Sequence, residues 1–388
     1  MPEADVVGQI AALARAGERI AVDTEFMGEG RYRTLLCLIQ VAAPQVSGED
    51  RIEVLDPLDE EFDGRELAEV LADPTIEVVV HAGRQDVALL RRYLQTEVHN
   101  VFDTQLAAGF AGLPAQASYE SLLSDVLQVR VAKTASFTRW DKRPLSAEQL
   151  SYAREDVLHL LELADRLEQR LNERGRLEWA RQECAVLERA SDERDLEAIY
   201  ARLPRVRSLR GESQGIAREL VEWRERTAAR QDRPVQSVLA DAALVEIAKR
   251  RPRTAHDLEQ IRGVNQHNMR RRGDDVLAAV ERGRTRTVAA FEDERRTSAP
   301  DPSDAPLIAL CEALARARSR EAGLAYELVA ARADLQAIVD AWRHDRPEPE
   351  VRTLTGWRRE LVGAELLELL EGRLTLSVDP QRHLHIAG

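Results

Sequence analysis

The sequence predicts a mixed α/β domain followed by two all-helical units. Near-continuous apolar runs, typical of strands covered on both faces, alternate with helical patterns up to about residue 145. Beyond that point almost every segment has helical periodicity. A stretch rich in proline, arginine, serine and glycine at 202–215 and the stretch RRTSAPDPSDAP at 295–306 interrupt the helical part and are typical of linkers.

The elements of the first domain follow in a βββαβαβ order. An amphipathic helix at 4–16 precedes three strands, RIAVDTEF, TLLCLIQVAA and RIEVLDPL. A helix that ends at Pro74 leads to the buried strand IEVVVH, the helix GRQDVALLRRYL and the short strand VHNVFDT. Helices at about 103–112 and 118–127 complete the pattern, which predicts a mixed sheet with helices on its faces.

A long helix begins the second half of the chain, where Ser146 and Gln149 have the spacing of a capping box. Residues 216–290 then predict one compact helical unit, and residues 307 to about 375 predict a second of similar size. Two similar helical units in tandem suggest a duplicated module. We therefore divide the chain into domains at 1–200, 210–294 and 305–388.

Composition limits the class of protein. The 388 residues carry a formal net charge of −13, which alone argues against a nucleic-acid partner, because phosphate binding favours a basic surface. Acids that bind a divalent cation, however, create local positive charge that the formal count omits. The apolar runs are too short to cross a membrane, the N-terminus lacks a secretory signal, and the three cysteines are widely spaced. We therefore expect a cytoplasmic protein without membrane contact.

Two acids interrupt the first predicted strand. Asp23 and Glu25 are two residues apart, so the period of a strand places both carboxylates on one face. Burying two like charges is costly unless a cation neutralises them. The alternative is that the strand ends at Val22 and both acids lie in a loop.

A further acid follows the next buried strand. Asp86 lies early in a predicted helix, where it is either part of a site or an ordinary first-turn acid favoured by the helix dipole. His81, at the end of the preceding strand, is better interpreted as a hydrogen-bonded residue than as a metal ligand.

Helical phase separates three polar residues in LSYAREDVLHLLELA. Glu155 points roughly 160° from the apolar stripe and is expected to face solvent. Asp156 lies roughly 100° from the stripe, with Tyr152 one turn before it on the same flank, and a flank position can reach a cleft. The stripe itself consists of Leu150, Ala153, Val157, Leu161 and Ala164.

Four carboxylates and a phenol thus belong to one α/β domain, and an all-carboxylate set selects hard cations such as Mg²⁺ or Mn²⁺. The segments that carry them, DTEF, HAGRQDVALL and RPLSAEQLSYAREDV, resemble in order the three motifs of the DEDD superfamily of 3′→5′ exonucleases. The likeness is to the tyrosine variant and, within it, to the ribonuclease D family. LLCLIQVA and VFDTQLAA are similar to that family in register.

This resemblance implies a fold and a set of roles. The first domain would be an RNase H-like α/β domain that uses two Mg²⁺ or Mn²⁺ ions. Asp23, Glu25 and Asp156 would bind one ion, Asp23 would bridge to the second, and Asp86 would lie near the second. Tyr152 would orient the attacking water, because a phenol with a pKa near 10 is a poor base by itself.

The helical units resemble the helicase-and-RNase-D C-terminal (HRDC) module. The likeness covers residues 216–290, and LVAARADLQAIV in 307–375 resembles a second, more divergent copy. Arginines and a lysine of the first unit suit phosphate contacts. An arginine-rich bundle whose basic side chains are simply solvated is an equally good interpretation. These residues are Arg224, Arg230, Lys249, Arg250, Arg251, Arg270, Arg271 and Arg272.

Substrate contacts are expected in the stretch KTASFTRWDKRP. Lys133 and Arg143 could hold phosphates, and Trp140 or Phe137 could stack on a terminal base, with packing in the core as the alternative for both aromatics.

The resemblance implies an exoribonuclease that trims the 3′ ends of structured RNA, such as tRNA precursors, and releases nucleoside 5′-monophosphates. The alternatives are a 3′→5′ DNA exonuclease and an inactive RNA-binding scaffold, and the complete set of acids argues against the scaffold. We expect a monomer.

Overall fold

The computed structural model describes residues 3–45, 48–131, 139–261, 264, 266–286 and 303–388. The first domain contains a five-stranded sheet with helices on both faces, as the sequence predicts. Its strands are β1 Arg19–Met27, β2 Leu35–Ala43, β3 Arg51–Leu55, β4 Glu77–Val80 and β5 Val101–Asp103. Its helices are α1 Glu3–Gly17, α2 Arg65–Ala72, α3 Arg84–Leu94, α4 Thr104–Phe110, α5 Tyr119–Leu122, α6 Ala147–Leu158, α7 Leu160–Glu173 and α8 Leu177–Ala185.

The strand order β3-β2-β1-β4-β5 places β1 at the centre of the sheet. Strand β1 pairs antiparallel with β2 and parallel with β4. The antiparallel ladder continues from β2 to β3, and the parallel one from β4 to β5. The strand that carries the first two acids therefore has a neighbour on each side, which fixes its backbone.

Both faces of the sheet are covered. Ile20, Val22 and Ile39 belong to a core cluster on one face, together with α1, α2 and α3 residues. Ala21 and Ala42 belong to a cluster on the opposite face that includes α4 and α7 residues. This alternation along β1 and β2 explains why their sequences read as almost unbroken apolar runs.

The stretch 150–164 is two helices rather than the single helix that the phase argument assumed. Helix α6 ends at Leu158 and α7 begins at Leu160. The backbone N–H of His159 donates to the hydroxyl of Tyr119 at 3.3 Å, a partner forty residues away in sequence. Ala153 and Val157 are buried as expected, whereas Leu150 is 38% exposed, so its assignment to the core stripe was wrong.

The capping box that the sequence predicts at Ser146 and Gln149 is present at the start of α6.

The first helical unit contains 3₁₀ and α segments from residue 196 onward. The helices of this unit are α9 Leu196–Arg202, α10 Glu212–Gln231, α11 Val235–Val238, α12 Asp241–Arg250, α13 Ala255–Glu259 and α14 Gln266–Thr285. They enclose a core of their own that includes Tyr200, Leu220 and Leu244.

The predicted linkers are only partly described. The first, at 202–215, holds the 3₁₀ turn Val206–Ser208 and the start of α10 at Glu212. Of the second, at 295–306, residues up to 302 lie outside the described ranges, and α15 begins at Asp304.

The C-terminal unit is helical but ends in a hairpin that the sequence analysis did not predict. Strands β6 Thr375–Val378 and β7 Leu384–Ala387 pair antiparallel. The helices before them are α15 Asp304–Ala322, α16 Tyr326–Val329, α17 Arg332–Arg343, α18 Gly356–Arg358 and α19 Ala364–Leu370. None of the described helices is long and apolar enough to cross a membrane.

The C-terminal unit shares one continuous core with the sheet domain. Trp357 stacks on Trp179 with ring centroids 5.2 Å apart and meets the edge of Phe110 at 5.1 Å. Arg358 pairs through two nitrogens with Glu183 of α8, at 2.5 and 2.8 Å. A boundary near 305 thus separates segments of sequence that fold against one another.

Candidate active site

Asp23 and Glu25 lie on β1 with their side chains on the same face of the sheet. The structure therefore excludes the alternative in which β1 ends at Val22, because pairing with β2 continues to Met27. The register shifts between Glu25 and Phe26, which marks a bulge. Bulges often re-aim side chains beside functional sites, and this one lies directly after the second acid.

Asp86 occupies the first turn of α3 and is 8% exposed. Its carboxylate accepts a hydrogen bond from the hydroxyl of Thr24, which lies on β1 between the two other acids. The sequence analysis assigned no role to Thr24, although a threonine between two site acids on a central strand is a usable signal. This hydrogen bond connects the start of α3 to the strand that carries Asp23.

Asp103 holds the loop that leads into α3, another role that the sequence analysis missed. Its carboxylate caps α4 by accepting from the amides of Gln105 and Leu106 at 2.8 and 3.2 Å. It also accepts from the amides of Ala82 and Gly83 at 3.2 and 2.8 Å. An acid directly before a helix is a recognisable N-cap signal, but its second pair of partners is visible only in the fold.

Tyr152 and Asp156 lie on α6, which packs against β1, β2 and β3. Oδ2 of Asp156 is buried and has no hydrogen-bond partner among the described residues. Glu155, between them, is half-buried and accepts a hydrogen bond from Ser151 at 3.3 Å. Helical phase correctly grouped Tyr152 with Asp156, although Glu155 is less exposed than expected.

His81 and Tyr119 pack together beside these acids, with ring centroids 5.6 Å apart. Nδ1 of His81 lies 2.9 Å from the hydroxyl of Thr104, so this histidine is hydrogen-bonded as the sequence suggested. Burial lowers its pKa, which favours the neutral ring. Tyr119 was not anticipated, and its hydroxyl fixes the end of α6 through His159.

Burial raises the pKa values of all four acids, and the neighbouring site carboxylates raise those of Asp23 and Glu25 further. Burial, followed by Asp86, Asp156 and Glu25, holds the pKa of Asp23 well above its usual range. Burial and the carboxylates of Asp156 and Asp86 raise the pKa of Glu25 to about 8. Burial also raises the pKa of Asp86 to about 6, against the lowering effect of the Thr24 hydrogen bond. These carboxylates therefore need protons or cations near neutral pH.

The pKa of the acid on α6, Asp156, is raised as well. Burial, then Glu120 and Glu155, raise the pKa of Asp156 to about 7. Burial and the acids Asp156, Glu25 and Asp23 raise the pKa of the Tyr152 phenol above its ordinary value, which keeps this hydroxyl protonated. The site thus combines acids that repel one another with a neutral hydrogen-bond donor.

These residues fit a hard divalent cation in ligand type and charge. The donors are all carboxylates, which suits Mg²⁺ or Mn²⁺, and the unpartnered Oδ2 of Asp156 lacks a compensating donor. In the described ranges, no group of three or more His, Cys, Asp or Glu side chains is arranged to hold a metal ion as it stands. The side-chain orientations therefore do not form a finished coordination shell.

The predicted substrate contacts are placed differently. Trp140 is 6% exposed and packs 6.0 Å from the ring of Tyr152, in a cluster with Leu38 and Ala153. This burial supports its alternative role as a core residue. Arg143 pairs with Asp56 and donates to the carbonyls of Trp140, Lys142 and Cys37. Its guanidinium is used by the protein itself, so the structure does not support a phosphate contact there.

Lys133 and Phe137 lie outside the described residues, and their roles stay predictions.

Part of the basic cluster of the first helical unit is already paired with acids of the protein itself. Arg224 is 1% exposed and pairs with Asp241 at 2.5 Å, which excludes it as a surface phosphate contact. Arg230, Lys249 and Arg271 are exposed.

A pocket of about 530 Å³ opens between the loop after β1 and the end of α10. Arg31 and Arg139 line it together with Glu29, Asp141 and Asp232. Asp232 accepts from Arg31 at 2.6 Å and from the amide of Tyr32 at 3.1 Å. The first helical unit therefore contacts the loop that directly follows the acids of β1.

Comparisons with known proteins agree with this arrangement. Residues 4–172 match a family of 3′-5′ exonucleases, and residues 213–280 match the HRDC domain. The fold and the site together define a 3′-5′ exonuclease domain joined to an HRDC domain. The likeness of the C-terminal unit to a second HRDC module stays a prediction.

Two relatives are similar to this chain over nearly its whole length. Ribonuclease D of Gluconacetobacter diazotrophicus is 35% identical over 381 residues, 97% of this chain and 94% of that protein. Ribonuclease D of Granulibacter bethesdensis is 36% identical over 93% of this chain and 89% of that protein. The chain belongs to the ribonuclease D family. A solved structure, Escherichia coli RNase D, an exoribonuclease involved in structured RNA processing, has a TM-score of 0.80 and 26% identity. The match covers 95% of this chain and 97% of the Escherichia coli chain.

Proposed function

We propose that this chain trims the 3′ ends of structured RNA, such as tRNA precursors, and releases nucleoside 5′-monophosphates. The observation that carries the proposal is the group of four carboxylates with raised pKa values beside one protonated phenol. Family membership supports the exonuclease reaction, and the RNA substrate is proposed from the relative with the similar structure.

The four acids, Asp23, Glu25, Asp86 and Asp156, are the residues that would hold two Mg²⁺ or Mn²⁺ ions. Such ions, when bound, supply positive charge that stabilises the phosphoryl oxygens and the leaving oxygen. The buried and unpartnered Oδ2 of Asp156 supports this assignment, since such an atom calls for a ligand.

Tyr152 is proposed to orient the attacking water. Its pKa is raised by burial and by the surrounding acids, so the phenol remains protonated and can donate one hydrogen bond. Trp140 packs against its ring and holds it in place. The water oxygen forms the new bond to phosphorus while the bond to the 3′ oxygen breaks, and a proton ends on that 3′ oxygen.

A direct assay tests the proposal. A structured RNA labelled at its 3′ nucleotide is incubated with Mg²⁺ or Mn²⁺, and free nucleoside 5′-monophosphate is measured. We expect metal-dependent release by the wild-type chain and a loss of more than about 100-fold in the Asp156→Asn variant, because a ligand of the charged site is removed. The matched control is Glu155→Gln, the adjacent acid, which should retain activity within about twofold.

Three outcomes would contradict the proposal. Faster release from single-stranded DNA than from RNA would indicate a DNA exonuclease. RNA binding without release would indicate a scaffold. An Asp156→Asn variant with activity within a few-fold of wild type would refute the assignment of the acids.

A further inference from the structure

The side chain of Gln40 is buried without a partner at the centre of the sheet. It is 0% exposed, and neither its amide nitrogen nor its amide oxygen has a hydrogen-bond partner among the described residues. Leaving a buried amide unpaired is costly, so such groups are rare in folded proteins and call for an explanation.

The register of the sheet places Gln40 directly opposite Asp23. The two residues are antiparallel partners in the β1–β2 ladder, so their side chains lie on the same face. The neighbouring pairs agree, because Ala21 and Ala42 share a core cluster on that face. Directly opposed residues have Cβ atoms roughly 4.5–5.5 Å apart, within reach of a glutamine amide.

The other neighbours of Gln40 within the sheet cannot satisfy its amide. Val54 is its partner on β3, and Leu38 and Ala42 lie two residues away along β2. All three side chains are apolar, whereas Asp23 is a carboxylate with oxygens that accept. Helix α6 packs against these strands and carries another buried polar atom without a partner among the described residues, Oδ2 of Asp156.

We propose that Gln40 is a positioning residue whose amide donates a hydrogen bond to the Asp23 carboxylate when the site holds its divalent cations. This inference rests on the proposed function. A hydrogen bond from Gln40 on the neighbouring strand would leave the remaining oxygen lone pairs of Asp23 available to the cation, as outer partners do for metal-ligating carboxylates. The cost of burying this amide would then be the cost of having that donor in place.

The test measures Mn²⁺ binding by calorimetry and thermal unfolding in chelator, for the wild-type chain and for Gln40→Met. Methionine keeps the length of the side chain and removes the amide. We expect Mn²⁺ binding to weaken by about 10–100-fold, the range for outer partners of metal ligands. We expect the midpoint of unfolding in chelator to stay equal or rise, because an unpaired amide is replaced by an apolar group.

The matched control is Ile39→Met, a buried neighbour on β2 whose side chain lies on the opposite face. It changes the packing of the same strand and should leave Mn²⁺ affinity within about twofold. A Gln40→Met variant that unfolds at a lower temperature and binds Mn²⁺ as tightly as wild type would overturn the inference in favour of a packing role.

The failure of the inference is distinguishable from that of the proposed function. A wild-type chain that binds no Mn²⁺ refutes the function and the inference with it. Tight binding by both the wild type and Gln40→Met refutes the inference alone. Should Gln40→Met fail to fold, a crystal structure of the wild-type chain with Mn²⁺ decides. An amide nitrogen within about 3.2 Å of an Asp23 carboxylate oxygen supports the inference, and an amide that points elsewhere overturns it.

Discussion

At the scale of single residues, the site is held together by hydrogen bonds from groups that do not themselves carry charge. The hydroxyl of Thr24 donates to Asp86. The amides of Ala82 and Gly83, in the loop that leads to α3, donate to the carboxylate of Asp103. The acids are therefore oriented by the sheet and its connections, while their mutual repulsion is left uncompensated. A site built in this way is prepared for cations and is unfavourable without them.

The raised pKa values predict that the metal-free protein loses stability as the pH rises. Folded-state pKa values near 6 for Asp86, 7 for Asp156 and 8 for Glu25 lie above the ordinary values of these groups. Between pH 5 and 8 the folded chain thus binds more protons than the unfolded chain, so the free energy of unfolding falls across this window. Urea unfolding in chelator at several pH values measures this slope.

Two controls accompany this pH prediction. The Asp156→Asn variant has one titrating group fewer in the site, so its slope should be shallower than that of the wild type. Saturating Mn²⁺ should stabilise the wild-type chain more at pH 8 than at pH 5, since cations compete with protons for the carboxylates. A stability that rises with pH in chelator would contradict the assignment.

The phenol of Tyr152 gives a second prediction at this scale. Since its pKa is raised above the ordinary value of 10, the group stays protonated over the working pH range. Tyr152→Phe should lower kcat by about 10–100-fold. The dependence of the rate on pH between 7 and 9 should be the same in the variant and the wild type, because the wild-type phenol does not titrate there. Steady-state rates of both proteins against pH test this, and a wild-type inflection in that range that disappears in the variant would instead identify Tyr152 as a base.

At the scale of elements, the sequence predicted the features that depend on local periodicity. The two-residue spacing placed Asp23 and Glu25 on one face of a strand, and the spacing of four residues grouped Tyr152 with Asp156 on α6. Features set by distant partners were missed. The break between α6 and α7 depends on the Tyr119 hydroxyl. The pairing of Arg143 with Asp56 joins residues 87 positions apart, which no local pattern reveals.

The loop at 28–34 is the element through which the first helical unit contacts the site. Asp232, at the end of α10, pairs with Arg31 and accepts from the amide of Tyr32. Arg194 lies 5.2 Å from the Tyr32 ring and pairs with the buried Glu225. The helical unit therefore holds the loop that continues the acid-bearing strand.

Removing the charge of Asp232 should loosen this loop without unfolding the domain. Asp232→Asn keeps a residue that tolerates the positive φ of 43° at this position. Amide exchange in 28–34 should become faster by up to about fivefold, since exposed ion pairs contribute about 1 kcal/mol or less. Hydrogen exchange with mass spectrometry measures it, with Glu259→Gln, an exposed acid of the same unit, as the control. Unchanged exchange in the loop would show that this pair does not hold it.

At the scale of the whole molecule, the two helical units relate differently to the sheet domain. The first encloses its own core, and its contacts with the loop after β1 include polar pairs. The C-terminal unit adds Ile338, Val362 and Leu366 to the cluster that contains Phe102 and Leu163 of the sheet domain. Cutting the chain before α15 would expose this shared core, so a loss of activity after truncation would not identify an RNA-binding role of the removed unit.

The shared core predicts that the sheet domain and the C-terminal unit unfold together. Trp357, 3% exposed, packs on Trp179 and Phe110, so Trp357→Ala should destabilise both segments by about 3–5 kcal/mol. Trp342→Ala removes a tryptophan of the same unit that is 41% exposed and should cost less than about 1 kcal/mol. Urea unfolding followed by peptide-resolved hydrogen exchange measures both. In Trp357→Ala, the opening free energies of α8 and α15 should fall in parallel. A loss of protection confined to the C-terminal unit would instead mean that the sheet domain is stable without it.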